Sequence, residues 1–271
     1  MMDAFPGQSL SDANRRPQPP AGNTATGALK LIALFFMLID HLGAAVFPNV
    51  PEMRILGRIA FPIYCWCMVT GFCYTRSVPR YLARLLLIGV LVQPLYAEVM
   101  NHRVASANLL ISFYAGKPNI FLTLFLALAA LWGIREKKFL SHLWAPVLTL
   151  ILATVLKADY GWKGVLFILL LYAARTSRPA VAAVMIAYFL YWGTSYSVTS
   201  TLFGRPLHLD RLPGAVYQPL SAFTRLETYG LLSLPFILIP FKKDLRLPHW
   251  VSYGIYPAHL LVVWLVKVLV R

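Results

Sequence analysis

The sequence predicts an all-α fold, a polytopic integral membrane bundle of about nine transmembrane helices. Hydrophobic residues make up 59% of the 271 and charged residues only 13%, whereas soluble domains contain roughly 45–50% apolar and about 25% charged residues. Apolar runs that approach the roughly 20 residues needed to cross a bilayer recur along the whole chain. The single hydrophobic core of a protein of this length cannot bury so many apolar residues, so part of the apolar surface must face lipid.

The predicted helices follow one another with mostly short connections. They cover residues 29–47, 57–75, 82–99, 119–135, 143–157, 161–175, 179–195, 226–241 and 250–270. Residues 100–118 are expected to form a loop or a re-entrant piece, and residues 194–225 a lid or an external cap. Residues 1–27 are polar and rich in proline, which predicts a disordered tail. Residues 28–271 then form a single transmembrane domain.

The charge pattern predicts the orientation. The chain has 25 Lys and Arg against 10 Asp and Glu, a net charge of +15, and these cations lie in short clusters between apolar runs. Cytoplasmic loops carry the excess of Lys and Arg, which favours an N-terminus in the cytoplasm. A nucleic-acid binder would gather its charge on a soluble face, so no nucleic-acid partner is expected. Membrane lipids and an anionic cofactor remain as partners. The predicted inner cations are Arg15, Arg16, Lys30, Arg76, Arg80, Arg84, Arg135, Lys137, Lys138, Arg175, Arg178, Lys242, Lys243 and Arg246.

Several classes of function have no support in the sequence. It has no Walker loop, Rossmann glycine fingerprint, G-x-S-x-G elbow or H-E-x-x-H motif. Cys65, Cys67 and Cys73 have neither paired metal-ligand spacing nor histidine neighbours, so we interpret them as small membrane-buried residues. ATP-driven transport, classical serine or zinc hydrolysis and a metal site are therefore not predicted.

Asp40 and His41 are the clearest candidates for chemistry. A charge at the centre of a spanning helix costs roughly 2.5–3.5 kcal/mol, so polar residues there mark function by default. A neutral imidazole accepts a proton from an attacking hydroxyl or amine, and a nearby carboxylate orients the ring. Neighbours on a helix diverge by about 100°, so Asp40 supports either His41 or another helix. The alternative interpretation is a structural hydrogen-bonding pair.

Lys30 precedes His41 by eleven residues, which is close to three helical turns and about 16 Å. Both side chains therefore point the same way, one at the cytoplasmic mouth and one deep in the membrane. A long anionic donor such as a coenzyme A thioester would fit that spacing. An interfacial anchor is the ordinary role of a lysine at a helix end.

Three further residues complete the candidate site. His259 follows Pro257 inside the last span, where a kinked helix with a structural histidine is the alternative. Arg58 begins the second span and is otherwise a snorkelling residue. Arg84 closes a basic cluster that either grips phosphate or is a solvated inner loop. Gln93, Glu98 and Asp159 are additional polar candidates.

Short stretches spread over the chain resemble the TraX family, named for the conjugation protein that acetylates the N-terminus of F-type pilin. The resemblance covers about residues 29–261. The stretches that carry it are Leu29-Lys30 with Met37, Ile39-Asp40-His41, Gly57-Arg58-Ile59-Ala60-Phe61-Pro62, Gly71-Phe72 with Thr75-Arg76, Arg80-Tyr81-Leu82-Ala83-Arg84-Leu85, Gln93-Pro94, Asn119-Ile120-Phe121, Ala158-Asp159-Tyr160-Gly161-Trp162 and Tyr256-Pro257-Ala258-His259-Leu260. The spacing from Lys30 to His41 is also similar to that of membrane acyltransferases that modify bacterial surface glycans. Heparan-α-glucosaminide N-acetyltransferase looks like a more distant relation.

The resemblance implies a multi-pass acetyltransferase of the bacterial inner membrane that uses cytoplasmic acetyl-CoA. The acceptor would be an amine or hydroxyl, on a peptide terminus, glycan or lipid. The resemblance implies that His41 is the base, Asp40 its partner and His259 a supporting catalytic residue. Lys30, Arg58 and Arg84 would bind the cofactor.

Two other functions remain as hypotheses. A proton-coupled transporter would relay protons through Asp40, His41, Glu98 and His259. A non-enzymatic component of a secretion or pilus assembly would use these polar residues only to hold helices together.

Overall fold

A computed structural model describes residues 17–245 and 247–270, which form a mostly helical fold. The helices are α1 (Thr26–Ala45), α2 (Pro51–Gly57), α3 (Ala60–Tyr74), α4 (Val78–Val99), α5 (Leu109–Tyr114), α6 (Ile120–Glu136), α7 (Ser141–Val155), α8 (Gly161–Ala174), α9 (Arg178–Gly193), α10 (Gly214–Phe223), α11 (Leu234–Leu238) and α12 (His249–Val270). Single 3-10 stretches cover Lys138–Leu140, Leu209–Arg211 and Leu226–Ser233. One antiparallel hairpin, β1 (Thr201–Leu202) and β2 (Arg205–Pro206), lies in the segment expected to form a cap. The predicted helical class is therefore confirmed for the bundle, with this hairpin as an exception.

Four helical stretches of the described residues are long and apolar enough to cross a membrane. They are Thr26–Ala45, Pro51–Tyr74, Val78–Val99 and Lys138–Val155. Gly161–Ala174, Leu226–Leu238 and Gly254–Val270 are apolar but shorter. The chain thus has the helices of a membrane protein, whereas the predicted number of nine crossings exceeds the four stretches that meet the length requirement.

The burial of these helices differs in a way that a bilayer explains. Pro51–Tyr74 is the central stretch, and it contains fully buried Trp66 and Phe72. Its three cysteines are buried and free, as predicted. By contrast α7 exposes an apolar face that includes Trp144, Val147 and Ile151. A patch of this kind is unusual on a soluble monomer and suits contact with hydrocarbon.

The N-terminal segment is ordered further than predicted. Residues 1–16 of the expected tail lie outside the described residues, but Asn23 is fully buried. Its side chain donates to Phe236 O at 2.9 Å, and its carbonyl accepts from Trp66 Nε1 at 2.7 Å. The predicted end of the tail at residue 27 is therefore wrong. A few specific hydrogen bonds order a segment whose polar composition indicates disorder.

Contacts define two ends of the bundle. Asp244 Oδ1 accepts from Gly27 N at 3.0 Å, where a carboxylate stabilises the start of α1. Arg175 and Arg178 donate to backbone oxygens of residues 18 and 21. We call this the inner end, following the predicted orientation, and the opposite one the outer end. At the outer end Lys267 of α12 donates to Val99 O of α4 at 2.7 Å.

Candidate active site

Two histidines that are 218 residues apart in sequence meet inside the bundle. Nδ1 of His41, on α1, lies 2.8 Å from Nε2 of His259, on α12. The ring centroids are 5.0 Å apart and the ring planes differ by 24°. In such a contact one nitrogen donates and the other accepts. The ring of Tyr256 lies edge-on to His259 at 4.8 Å and helps to fix its orientation.

Asp40 does not orient His41, which corrects the predicted pairing. Its Oδ2 accepts from Arg54 Nη1 at 2.7 Å and its Oδ1 from Arg58 Nη2 at 2.6 Å. The side chains of adjacent residues diverge around the helix, so the Asp40 carboxylate faces α2 while the imidazole faces α12. Gly57 permits this approach, because a side chain at that position would collide with the Asp40 carboxylate.

Arg58 joins Asp40 to a second buried carboxylate. Its Nη1 donates to Glu227 Oε1 at 2.8 Å. The side chains of Arg58 and Glu227 are only 8% and 4% exposed. Removal of one partner from such a buried network leaves an uncompensated charge. Arg58 therefore ties α1 to the stretch Leu226–Ser233, which follows the cap segment.

An inner cavity of about 150 Å³ runs along α1. Lys30 and His41 both line it, as the eleven-residue spacing predicts, together with Cys67, Tyr64 and Tyr81. Among the described residues Lys30 has no hydrogen bond or ion pair, although it lies close enough to influence the Cys67 thiol electrostatically. A cation without a carboxylate partner at the inner part of a cavity favours an anionic ligand.

An outer cavity of about 740 Å³ opens at the other end. Its walls combine aromatic rings, among them Trp192 and Tyr196, with charged groups. Lys117 Nζ pairs with Asp159 Oδ1 at 2.6 Å. His102 also lines this cavity, and burial together with the nearby Lys117 charge lowers the pKa of its imidazole below 6.5.

The two cavities meet at four residues. Asp40, His41, Asp159 and Tyr160 line both of them. The Tyr160 ring stacks on Phe61, with centroids 3.7 Å apart. His41 is therefore reachable from either end of the bundle, which suits a transfer between two molecules that approach from opposite sides.

The remaining predicted cofactor residues lie elsewhere. Arg58 lines the outer cavity rather than the inner one, and both carboxylates that surround it engage its guanidinium. Arg84 lines neither cavity, whereas Tyr81 and Leu85 of the same helix line the inner one. Arg84 Nε instead donates to Arg80 O at 3.1 Å. The structure thus places Lys30 in the inner cavity with His41, but neither Arg58 nor Arg84.

Sequence reasoning missed two members of the charged network. Glu227 begins an apolar stretch, and the cost of an acid at such a position is the signal that would have identified it. Arg54 gave no comparable signal, since arginines near helix ends are common. Glu98, a polar candidate, pairs with Arg103 at the surface.

Comparisons with known proteins identify a family and two relatives. A family model described as TraX protein matches residues 25–267. The "Probable fimbrial assembly protein FimC, serogroup H1" of Dichelobacter nodosus is 33% identical over 168 residues, 60% of this chain and 66% of that protein. The "Uncharacterized protein RP591" of Rickettsia prowazekii (strain Madrid E) is 36% identical over 93 residues, 34% of this chain and 35% of that protein. The matched parts span less than two thirds of either relative. No solved structure matches the chain.

Proposed function

This chain belongs to the TraX family, and on that premise we propose that it is an integral membrane acetyltransferase. It would take the acetyl group from cytoplasmic acetyl-CoA and deliver it to an amine or hydroxyl at the outer side of the membrane. The observation that carries the proposal is the position of His41, which lines an inner cavity with Lys30 and an outer cavity with aromatic walls.

The charge of Lys30 and its spacing from His41 in the inner cavity support this donor. Coenzyme A is a long molecule with phosphates at one end and a thioester at the other. Lys30 would hold a phosphate by a charge-assisted hydrogen bond, about 16 Å along the helix from His41. Bound acetyl-CoA supplies a thioester whose carbon–sulfur bond breaks as the acceptor nitrogen or oxygen attacks its carbonyl carbon.

His41 would move the proton in this reaction. When its Nδ1–H donates to His259, the lone pair of His41 is on Nε2, which makes no hydrogen bond among the described residues. Nε2 then takes the proton from the attacking amine or hydroxyl and returns it to the departing thiolate. His259 would hold the ring in the required tautomer and share the positive charge, the role that the sequence prediction had given to Asp40.

The name of one relative suggests the setting of the reaction. Since that relative is named as a probable fimbrial assembly protein, we propose that acetylation serves the assembly of a surface structure, as a modification of a subunit or of a molecule attached to it.

The hypothesis of a proton relay loses support from the arrangement of its residues. Glu98 pairs with Arg103, with its side chain 43% exposed, and Asp40 pairs with two arginines. Neither carboxylate hydrogen-bonds to the histidine pair. The four residues therefore do not form one continuous path.

Binding of acetyl-CoA by the purified protein tests the donor assignment. We expect the Lys30→Ala variant to bind acetyl-CoA about 10- to 100-fold more weakly, because a hydrogen bond to a charged group contributes roughly 1.5–3 kcal/mol. Calorimetric titration in detergent measures the affinity. Lys242→Ala removes an exposed cation near the inner end that lines neither cavity, and its affinity should equal that of the wild type. Equal weakening by both substitutions would reject a specific role for Lys30.

A further inference from the structure

A third cavity lies between α4 and α6, on the side of the bundle that faces lipid. This groove has a volume of about 140 Å³. Its walls include the side chains of Leu86 and Val90, which are nearly half exposed, and those of Leu122 and Phe125. Because Val78–Val99 is long and apolar enough to span a membrane, we expect the exposed side of the groove to face hydrocarbon.

Pro94, inside α4, shapes the groove. Pro94 has no N–H, so it leaves the carbonyl of Val90 without its helical donor. Tyr114 Oη donates to that carbonyl at 2.9 Å. Asn119 Nδ2 donates to Gly89 O at 2.7 Å. A side chain at Gly89 would come within 2.9 Å of Phe121 Cβ, so glycine keeps this wall open.

The other polar groups in the groove are also paired. Gln93 Nε2 donates to Lys117 O at 3.1 Å, and Gln93 Oε1 accepts from Asn119 N at 2.9 Å. Because these polar atoms already have hydrogen-bond partners, the surface that remains for a ligand in the groove is apolar. Water gains little in such a space, so an alkyl chain is the better-suited occupant.

The groove borders the inner cavity and approaches one wall residue of the outer cavity. It shares Leu85 and Phe121 with the inner cavity. Its polar end lies beside Lys117, whose side chain lines the outer cavity and pairs with Asp159. A lipid whose chain occupied the groove would then have its head group close to Lys117, a wall residue of the outer cavity.

We propose that this groove binds one alkyl chain of a lipid-linked acceptor, whose head group enters the outer cavity. The inference rests on the proposed acetyl transfer and narrows the acceptor to molecules anchored in the bilayer. The head group's N–H or O–H gives its proton to His41, its nitrogen or oxygen takes the acetyl group, and coenzyme A leaves as the thiol.

Two substitutions on α4 separate the groove from general contact with lipid. Val90→Trp fills the groove, whereas Leu87→Trp adds the same ring at a residue that is 59% exposed and does not line it. Native mass spectrometry of protein purified in mild detergent measures the lipid that stays bound. We expect the wild type and Leu87→Trp to retain phospholipid and Val90→Trp to retain about tenfold less. Equal retention in the two variants would overturn the proposal.

A labelling experiment tests the class of acceptor. Membranes that contain each variant are incubated with radiolabelled acetyl-CoA and extracted with chloroform and methanol. We expect label in the organic phase, reduced about tenfold in Val90→Trp relative to Leu87→Trp. Label confined to protein or to the aqueous phase would overturn a lipid-linked acceptor. Lipid loss in Val90→Trp alone, from a protein that does not bind acetyl-CoA, would support the groove as a lipid site and reject the proposed acetyl transfer.

Discussion

The His41→Ala variant should lose acetyl transfer almost completely while it retains its fold. A positioned general base contributes about 10²- to 10⁴-fold to the rate of such a reaction, and no other imidazole lines the inner cavity among the described residues. His41 contributes one hydrogen bond, to His259, so its loss should cost only about 1–3 kcal/mol of stability. Transfer from radiolabelled acetyl-CoA, measured as kcat with purified protein, quantifies the effect.

A matched histidine provides the control for this experiment. His142 lies on α7 and lines neither the inner nor the outer cavity, so His142→Ala should keep the wild-type kcat. Both variants should elute as a single species in size-exclusion chromatography and bind acetyl-CoA. Wild-type turnover by folded His41→Ala protein would refute its role as the base.

The Arg58→Met variant should show the largest loss of stability. Its guanidinium is 8% exposed and neutralises both Asp40 and Glu227. Without it Asp40 keeps only Arg54, and Glu227 keeps no ion-pair partner among the described residues. Loss of one partner from a buried ion network costs about 3–5 kcal/mol. Denaturant titration in detergent, followed by circular dichroism, measures the free energy of unfolding.

An exposed ion pair supplies the comparison for Arg58. In the pair between Arg103 and Glu98 the side chains are 47% and 43% exposed, so Arg103→Met should cost less than about 1 kcal/mol. Adding Glu227→Gln to Arg58→Met should recover part of the lost stability, because the unpaired carboxylate is removed. Similar losses for Arg58→Met and Arg103→Met would show that the buried network contributes little.

The predictions for His41→Ala and Arg58→Met concern two residues that line the outer cavity. The network of Asp40, Arg58 and Glu227 links α1 to the stretch that follows the cap segment. Since α1 also carries His41, the network holds the proposed base against the outer cavity. We therefore regard Asp40 and Arg58 as positioning residues rather than as groups that contact acetyl-CoA.

Composition and local periodicity were sufficient to predict the class of the protein and one feature of its site, the alignment of Lys30 with His41. An excess of apolar residues and recurring apolar runs indicate a helical membrane protein, because each apolar run favours a membrane helix independently of the rest of the chain. The alignment of Lys30 with His41 also follows from the geometry of a single helix, and both residues line one cavity.

Other features depended on how the helices pack against one another. His41 contacts His259 across 218 residues, and Asp40 contacts Arg58 and Glu227 from two other elements. Adjacent residues on a helix face different neighbours, and their partners depend on contacts that no local pattern encodes. The meeting of two cavities at His41 has the same origin, because helices that are distant in sequence enclose it. The groove beside Pro94 depends likewise on packing, here of α4 against α6.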